Sequence, residues 1–340
     1  VFAACVEDQT ARAIVVKGAA GSGKSQLRHE FMRRLETSQS DGALLIARAE
    51  PMRTYSSYHL IVQALRGLLG IRDGMSSSDS YNILCAHIAN SDSIEDESKV
   101  IEFTAELCGL APPGVRSPRM VAARQDPRIM AEQLQHCLID LLRAECAVRP
   151  ILLILDDMQW ADTPTVKLVG IALSELRDQP FMVLALARPE VEHRFPSLWA
   201  GTAVDLPLRT LPKRACEQLV TTVLGARLAP GAMTRIVEQS AGNPLFLEEL
   251  IRATAEGKGN EVPDTVMAML QARIGRLDTK VRHLLLSASI FGLSFQPAGV
   301  ELLLGLPSGT NDLDQRLRSA CQSELFSVSN AAVHEGQAEY

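Results

Sequence analysis

Residues 18–25 carry the residue types and spacing with the clearest chemical meaning in this chain. They are Gly-Ala-Ala-Gly-Ser-Gly-Lys-Ser and fit the pattern G-x-x-x-x-G-K-[ST] without a mismatch. Glycines at these positions let backbone N–H groups point at an anion, and a helix that starts there adds partial positive charge. In this pattern Lys24 would reach the β and γ phosphates of a nucleotide, and the Ser25 hydroxyl would hold Mg²⁺. The predicted phosphate contacts are Gly18, Ala19, Ala20, Gly21, Ser22, Gly23, Lys24, Ser25 and Gln26.

The residues on both sides of this loop supply the elements that the motif needs. A β-branched run at 13–17 predicts a buried strand, and Leu27, Phe31 and Leu35 recur at the spacing of one helix face. A strand, a glycine-rich turn and a helix start form the context that the motif requires. The alternative, a Gly/Ser turn before a solvated lysine, leaves this context unexplained.

Two carboxylates follow another apolar run. Residues 151–155 are Ile-Leu-Leu-Ile-Leu, and Asp156 and Asp157 come next. A carboxylate at a strand tip can hold Mg²⁺, and its neighbour can orient or deprotonate an attacking water. We assign Asp156 to the metal and Asp157 to the water. An Asp-rich turn is the alternative, and the phosphate loop upstream disfavours it because one nucleotide site needs both parts.

A third group of candidates follows these strands. The apolar run 181–187 ends at Arg188, and strand tips of a parallel sheet converge on the ligand crevice. A guanidinium there suits the γ phosphate, although a solvated loop arginine is an open alternative. For Asp162 and Trp160 we favour structural roles, a helix cap and an anchor of the loop in the core. The chain lacks the Asn/Thr-Lys-x-Asp pattern that selects guanine, which favours adenine by default.

Five short apolar runs separated by helical patterns predict an α/β fold with a mainly parallel sheet. These strands are predicted at 13–17, 43–47, 151–155, 181–187 and 204–208. The interval 52–147 is too long for one crossover, so we predict a helical insertion. Helices are expected near 56–70 and 128–147, with loops and a mobile segment at 73–128 between them.

After residue 208 the pattern becomes helical. One predicted stripe contains Leu219, Val220, Val223 and Leu224, and another contains Phe246, Leu247, Leu250 and Ile251. Asn243 suits a helix cap and Pro244 the first helical position. A linker is predicted at 256–260, and Val266, Met269, Leu270 and Ile274 indicate a further helical domain.

Composition limits the function classes. The chain has 340 residues, of which 46% are hydrophobic, and a net charge of −6. This acidic balance argues against a strong nonspecific grip on nucleic acid or anionic membranes. The seven cysteines show no C-x-x-C spacing, so we expect structural thiols in a reducing compartment, the cytoplasm. The chain begins with Val1, and we expect it to be a piece of a longer protein.

Six stretches in a fixed order carry a resemblance to a known family. They are GAAGSGKS at 18–25, ILLILDDMQWAD at 151–162, LALARPE at 184–190, FPSLW at 195–199, GNPLFLEELIRA at 242–253 and VPDTVMAMLQARIGRL at 262–277. Together they resemble the STAND branch of the AAA+ ATPases, and in particular bacterial regulatory modules. Some of those modules are fused to a serine/threonine kinase, a cyclase or a LuxR-type DNA-binding domain.

The resemblance implies a P-loop NTPase core with sheet order 5-1-4-3-2, a helical lid and a winged-helix domain. It implies domain bounds of 1–208, 209–258 and 259–340, with the last domain truncated. It also places Pro244 against the nucleotide. Two departures stand out: the family's Gly-Arg-Glu-type element upstream of the first strand is absent, and the chain stops at Tyr340 within the winged helix.

The leading hypothesis is a regulatory module that binds ATP or ADP with Mg²⁺, hydrolyses ATP slowly, and reports its nucleotide state to an effector domain. A nucleotide-gated scaffold without turnover is a second hypothesis. A DNA-binding initiator-like ATPase is a third, disfavoured because the arginines of 262–340 are dispersed. A small-molecule kinase is less favoured still. We expect no membrane partner and no direct contact with nucleic acid, and nucleotide-dependent homo-oligomerisation is left open.

Overall fold

A computed structural model describes the chain in two compact units, Val1–Leu211 and Pro212–Tyr340. Each unit has its own cluster of buried hydrophobic residues. The description leaves out residues 38–41, 55, 73, 92, 111–113, 115, 226–227, 229, 256, 258–267, 269–270, 272–273, 276, 293–294, 307–310, 323–324, 327–328, 335–336 and 340.

A parallel sheet of five strands forms the centre of the first unit, in the order β2-β3-β4-β1-β5. The strands are β1 (Arg12–Lys17), β2 (Ala43–Arg48), β3 (Ile151–Asp156), β4 (Phe181–Ala187) and β5 (Ala203–Pro207). Strands β3 and β4 are buried at every residue, which explains their continuous apolar sequences. The predicted α/β fold and its sheet order are therefore confirmed.

Strand register brings the candidate residues to one edge of this sheet. Lys17 lies opposite Ala187, and Arg48 lies opposite Asp156. The N–H of Gly18 donates to the carbonyl of Ala187 at 3.1 Å, so the phosphate loop leaves the sheet beside the tip of β4. All the loops that follow these strands start at the same edge.

Helices cover both faces of the sheet. They are α1 (Phe2–Glu7), α2 (Lys24–Thr37), α3 (His59–Leu69), α4 (Ser77–Ala89), α5 (Glu97–Leu107), α6 (Pro118–Gln125), α7 (Pro127–Val148), α8 (Thr163–Glu175) and α9 (Val191–Arg194). On one face, Phe31 and Leu35 of α2 pack against a cluster that includes Val16 and Leu186. Leu27 of the same helix is 36% exposed, so its predicted place on the buried face is wrong.

The interval 73–128 is mostly helical, which agrees with the predicted helical insertion. Of the loops predicted within it, Ser76–Ser78 instead begin a helix, and residues 111–113 lie outside the described part of the chain. The interval contains α4, α5 and α6, whose first turns are capped by Ser76, Asp96 and Ser117. Each cap accepts a hydrogen bond from the backbone N–H three residues later. These caps were visible in the sequence, but the helices are short and polar residues interrupt their apolar stripes. Burial against α7 and the sheet stabilises them.

The second unit is largely helical. Its elements are α10 (Lys213–Leu224), α11 (Ala232–Ser240), α12 (Pro244–Ala255), α13 (Thr279–Ala288), α14 (Pro297–Leu304), α15 (Asn311–Gln322) and the antiparallel strands β6 (Ser329–His334) and β7 (Gln337–Glu339). Asn243 caps α12 by accepting from the N–H of Phe246 at 3.2 Å, as predicted. None of the helices placed in either unit is long and apolar enough to cross a membrane.

The two predicted stripes of the second unit differ in outcome. Phe246, Leu247, Leu250 and Ile251 are all buried, as predicted. In α10 only half of the predicted stripe is buried, because Leu219 is 45% and Val223 61% exposed. Except for Gly257, the predicted linker lies outside the described residues, as do Val266, Met269 and Leu270; Ile274 is 45% exposed.

Candidate functional site

The loop at 18–25 needs glycine at two positions for different reasons. Gly23 has a φ of 91°, a backbone conformation that other residues rarely adopt. At Gly18 a side chain would collide with the Ser22 hydroxyl and would lie 3.1 Å from the β carbon of Leu208. Helix α2 begins directly after this turn, at Lys24. The loop therefore has the compact backbone that a phosphate chain requires.

Lys24 is held inside the loop by the loop's own carbonyls. Its Nζ donates to the carbonyl oxygens of Gly18 at 2.7 Å and Ala19 at 2.9 Å, and the residue is 9% exposed. Burial lowers the pKa of Lys24, and the positive charge of Arg188 lowers that pKa further. The negative charge of an anion in the loop would raise this pKa and so oppose both effects.

Ser22 gives a direct test of whether the loop fits a phosphate. Its hydroxyl is buried and has no hydrogen-bond partner within the described part of the chain. A buried hydroxyl without a partner is unfavourable, and an anion in the loop would supply the missing acceptor. The residues present therefore fit the phosphate chain of a nucleotide. Ser25 and Gln26 follow in the first turn of α2 with exposed side chains.

Each of the two predicted carboxylates forms an ion pair with an arginine. Asp156, whose side chain is 5% exposed, accepts from Arg28 Nη1 at 2.7 Å through Oδ2. Its Oδ1 accepts from the N–H of Asp157 at 2.9 Å. Asp157 accepts from Arg48 Nε at 2.8 Å through its own Oδ2. The Asp157 backbone is left-handed, with a φ of 56°.

Gln159 connects the tips of β3 and β4. Its Nε2 donates to Asp157 Oδ1 at 2.9 Å, and its Oε1 accepts from the N–H of Arg188 at 2.9 Å. The side chain is buried, and Arg194 donates to the Gln159 carbonyl at 3.1 Å. Gln159 therefore fixes the carboxylate of Asp157 relative to the start of the Arg188 loop.

The sequence-predicted residues of the first unit converge on one place. The charges of Arg188, Asp157 and Asp156 all act on the amino group of Lys24, in that order of strength. Pro244 lies in the second unit, at the start of α12, so its predicted contact with the nucleotide stays a prediction. The roles that the sequence predicts for Lys24, Asp156, Asp157 and Arg188 are proposals as well.

The structural roles predicted for Asp162 and Trp160 have different outcomes. Asp162 is buried and caps α8 by accepting from the N–H of Thr165 at 2.9 Å. It also accepts from the N–H of Tyr58 at 2.9 Å, so its predicted structural role is confirmed. Trp160 is 37% exposed, and its predicted place in the core is wrong. Gln159, its buried neighbour, anchors this loop instead.

Three residues of the site were missed from the sequence: Arg28, Arg48 and Gln159. Arg28 lies four residues after Lys24, on the same face of α2, and that spacing could have indicated it. Arg48 ends the strand that the predicted sheet order places next to β3. Gln159 gave no signal, because its two partners are separated by a whole helix and strand.

The cysteines do not contribute chemistry to this site. All seven are free thiols. Burial raises the pKa of Cys108 to about 11, and burial raises that of Cys137 and Cys146 to about 12. Because the thiolate is the reactive form, these groups are inert at neutral pH, as expected for structural thiols.

The unpartnered Ser22 hydroxyl leads to a prediction. Ser22→Ala should leave the ligand-free chain as stable as wild type or up to about 1 kcal/mol more stable, since it removes an unsatisfied buried group. The same change should weaken nucleotide binding about fivefold, the equivalent of one ordinary hydrogen bond. Thermal unfolding and calorimetric titration measure the two effects. A loss of ligand-free stability above 1 kcal/mol would show that the hydroxyl already has a partner.

Residues 1–184 match the AAA ATPase domain family. The match covers more than half of the chain, and the chain therefore belongs to this family. Membership implies nucleotide binding, typically with Mg²⁺.

Other comparisons are more distant. An uncharacterised protein of Rhizobium meliloti (strain 1021) is 24% identical over 258 residues, which are 74% of this chain and 23% of that protein. The chain thus spans about a quarter of the length of this relative. The Aeropyrum pernix ORC1 protein in complex with DNA is 13% identical with a TM-score of 0.40, over 100% of this chain and 85% of that chain. Drosophila ORC bound to DNA is 14% identical with a TM-score of 0.34, over 96% and 85%. At these identities and TM-scores, we transfer no ligand or partner from either structure to this chain.

Proposed function

We propose that this chain is an ATP-binding regulatory module of the STAND type that hydrolyses ATP slowly and reports its nucleotide state to an effector. One observation carries the nucleotide site: the charges of two carboxylates at the tip of β3, the strand beyond β4, act on Lys24 of the phosphate loop. The loop also contains a hydroxyl that lacks an acceptor. ATP and ADP are the nucleotides that we propose.

Each residue has a distinct proposed role. The N–H groups of the loop and Lys24 bind the phosphates, and Ser25 and Asp156 would hold Mg²⁺. When bound, the metal would neutralise charge on the phosphate oxygens. Asp157 holds the attacking water and accepts its proton, while Arg188 stabilises the charge that develops on the γ phosphate. Positioning and electrostatics supply most of such catalysis.

Slow hydrolysis is supported by the state of the carboxylates. Asp157 is held by Arg48 and Gln159, so both of its oxygens already accept a hydrogen bond. Turnover therefore requires one of these contacts to be exchanged for the attacking water. The same observation favours the second candidate, a nucleotide-gated scaffold without hydrolysis. Multiple-turnover phosphate release separates the two, since a scaffold would release phosphate no faster than a Lys24→Ala variant.

The signalling role has separate support. The matched segment is 23% of the Rhizobium relative, which leaves room for an effector in a longer chain. We propose a kinase, cyclase or DNA-binding effector, in the same chain or on a partner, in the cytoplasm. Helices α13–α15 followed by the strand pair β6–β7 support a winged-helix domain at 259–340, and α10–α12 support a lid at 209–258. Nucleotide-dependent homo-oligomerisation would be one way to transmit the signal.

Calorimetric titration with ATP and ADP, with and without Mg²⁺, tests the nucleotide site. We expect saturable binding of both nucleotides. At 100 times the dissociation constant, a ligand that binds only the folded state should stabilise the chain by about 2.7 kcal/mol. An N-terminally extended chain is the matched comparison, because the family's adenine-seating element lies upstream of the first strand. If neither chain binds either nucleotide, the proposed function is wrong.

A further inference from the structure

We infer that Arg28 is an electrostatic placeholder for the metal, and that Mg²⁺ must compete with it for the carboxylate of Asp156. This inference rests on the proposed nucleotide site and adds a regulatory contact to it. Its starting point is the ion pair between Arg28 Nη1 and Asp156 Oδ2, 2.7 Å long.

Both carboxylate oxygens of Asp156 already accept a hydrogen bond. Oδ2 accepts from Arg28, and Oδ1 accepts from the N–H of Asp157 at 2.9 Å. Only 5% of the Asp156 side chain is exposed, so few directions remain open to another cation. A metal ion or its bound water that approaches this carboxylate therefore meets a site that a guanidinium already fills.

The side chain of Arg28 lies where it can leave the carboxylate of Asp156. Arg28 lies on α2 four residues after Lys24, on the same helix face and at the same sheet edge. Its side chain is 28% exposed, and Asp156 is the one side-chain acceptor that it has in the described part of the chain. A long side chain at this exposure can leave the carboxylate and enter solvent. The pair is therefore suited to exchange, whereas a fully enclosed pair would be a fixed structural element.

Arg28 has opposite effects on the metal-free and the metal-bound site. A buried carboxylate without a counter-charge is strongly unfavourable, so Arg28 stabilises the metal-free site. When a metal enters, two cations face one carboxylate, and their repulsion weakens metal binding. Arg28 thus makes the nucleotide site demand a higher Mg²⁺ concentration than the carboxylate alone would require. It is a positioning residue, because it acts through the carboxylate of Asp156.

The test is a Mg²⁺ titration at saturating ADP, followed by thermal unfolding and by displacement of a fluorescent ADP analogue. Arg28→Gln should lower the Mg²⁺ concentration at the midpoint about three- to tenfold, the order expected when one close like charge is removed. The affinity for ADP in EDTA should stay within about twofold of wild type, since Arg28 contacts only the carboxylate. Arg28→Met, a second neutral variant with good helix propensity, is measured in parallel in case the first does not fold.

Two matched variants control for charge and for helix context. Arg34→Gln removes the same charge from the same helix at a position whose side chain is 75% exposed, and it should leave the midpoint unchanged. Arg28→Lys keeps the charge and should stay near the wild-type midpoint.

The outcomes separate this inference from the proposed function. A wild-type midpoint in both neutral variants overturns the inference alone, and so does weaker ADP binding in EDTA, which would make Arg28 a phosphate ligand. If wild type binds no nucleotide with or without Mg²⁺, the proposed function fails and the inference falls with it.

Discussion

Replacing Lys24 with alanine is expected to weaken ATP binding about 100-fold or more, the largest effect on affinity that we predict for a single change. Lys24 is the cation nearest to the predicted phosphates and is already largely desolvated in its loop. Loss of a desolvated charge contact typically costs about 2–5 kcal/mol. Calorimetric titration with ATP measures the change directly.

The fold should tolerate this substitution, which makes the result interpretable. The Lys24 amino group donates to the carbonyls of Gly18 and Ala19, and water can reach the second of these because Ala19 is exposed. Burial and the neighbouring Arg188 both lower the pKa of Lys24, so neither of them favours its charged form in the ligand-free loop. We therefore expect the unfolding temperature of ligand-free Lys24→Ala to be close to that of wild type.

A conservative variant refines the test. Lys24→Arg keeps the charge, but a planar guanidinium cannot occupy the position of a compact ammonium between two carbonyls. It should bind ATP far more weakly than wild type. Full affinity in Lys24→Arg would mean that only net charge matters at the loop, and full affinity in Lys24→Ala would refute the phosphate site itself.

The sheet was predictable from local sequence because burial on both faces imposes a continuous apolar run. Strands β3 and β4 satisfy this rule at every residue, so their ends, and hence Asp156 and Arg188, could be located to within one residue. The order of the strands was a different matter. It came from the family resemblance, since no periodicity in the chain specifies which strands are neighbours.

The contacts that Arg48 and Gln159 make in the site could not be predicted, because they depend on which strands pair and in which register. Arg48 reaches Asp157 only because β2 and β3 pair with Arg48 opposite Asp156. Gln159 meets Arg188 only because β4 lies next to β3. The prediction for Trp160 was wrong for a related reason. Its large apolar side chain suggested a core position, but the polar side chain of Gln159 beside it has two hydrogen-bond partners and is buried instead. Tertiary hydrogen bonding outweighed hydrophobicity there.

Asp157→Asn is expected to retain ATP binding within about threefold and to lower steady-state phosphate release by about 100- to 10,000-fold, the usual contribution of a general base. Asparagine suits this test, because it tolerates the left-handed backbone that Asp157 adopts, whereas alanine would add strain. The amide oxygen can still accept from Arg48 or Gln159, so the loop should keep its shape. Phosphate release at saturating Mg·ATP gives the rate, and calorimetry gives the affinity.

A matched change at Gln159 distinguishes chemistry from positioning. Gln159→Met keeps the length of the side chain but removes the donor to Asp157 and the acceptor for the Arg188 N–H. If Asp157 must be aimed at the water, this variant should lose about tenfold in rate, less than Asp157→Asn, with ATP affinity nearly unchanged. If Asp157→Asn releases phosphate as fast as wild type, Asp157 does not act as the base. If wild type itself is no faster than Lys24→Ala, the contacts of Arg48 and Gln159 hold the carboxylate permanently, and the chain acts as a nucleotide-gated scaffold.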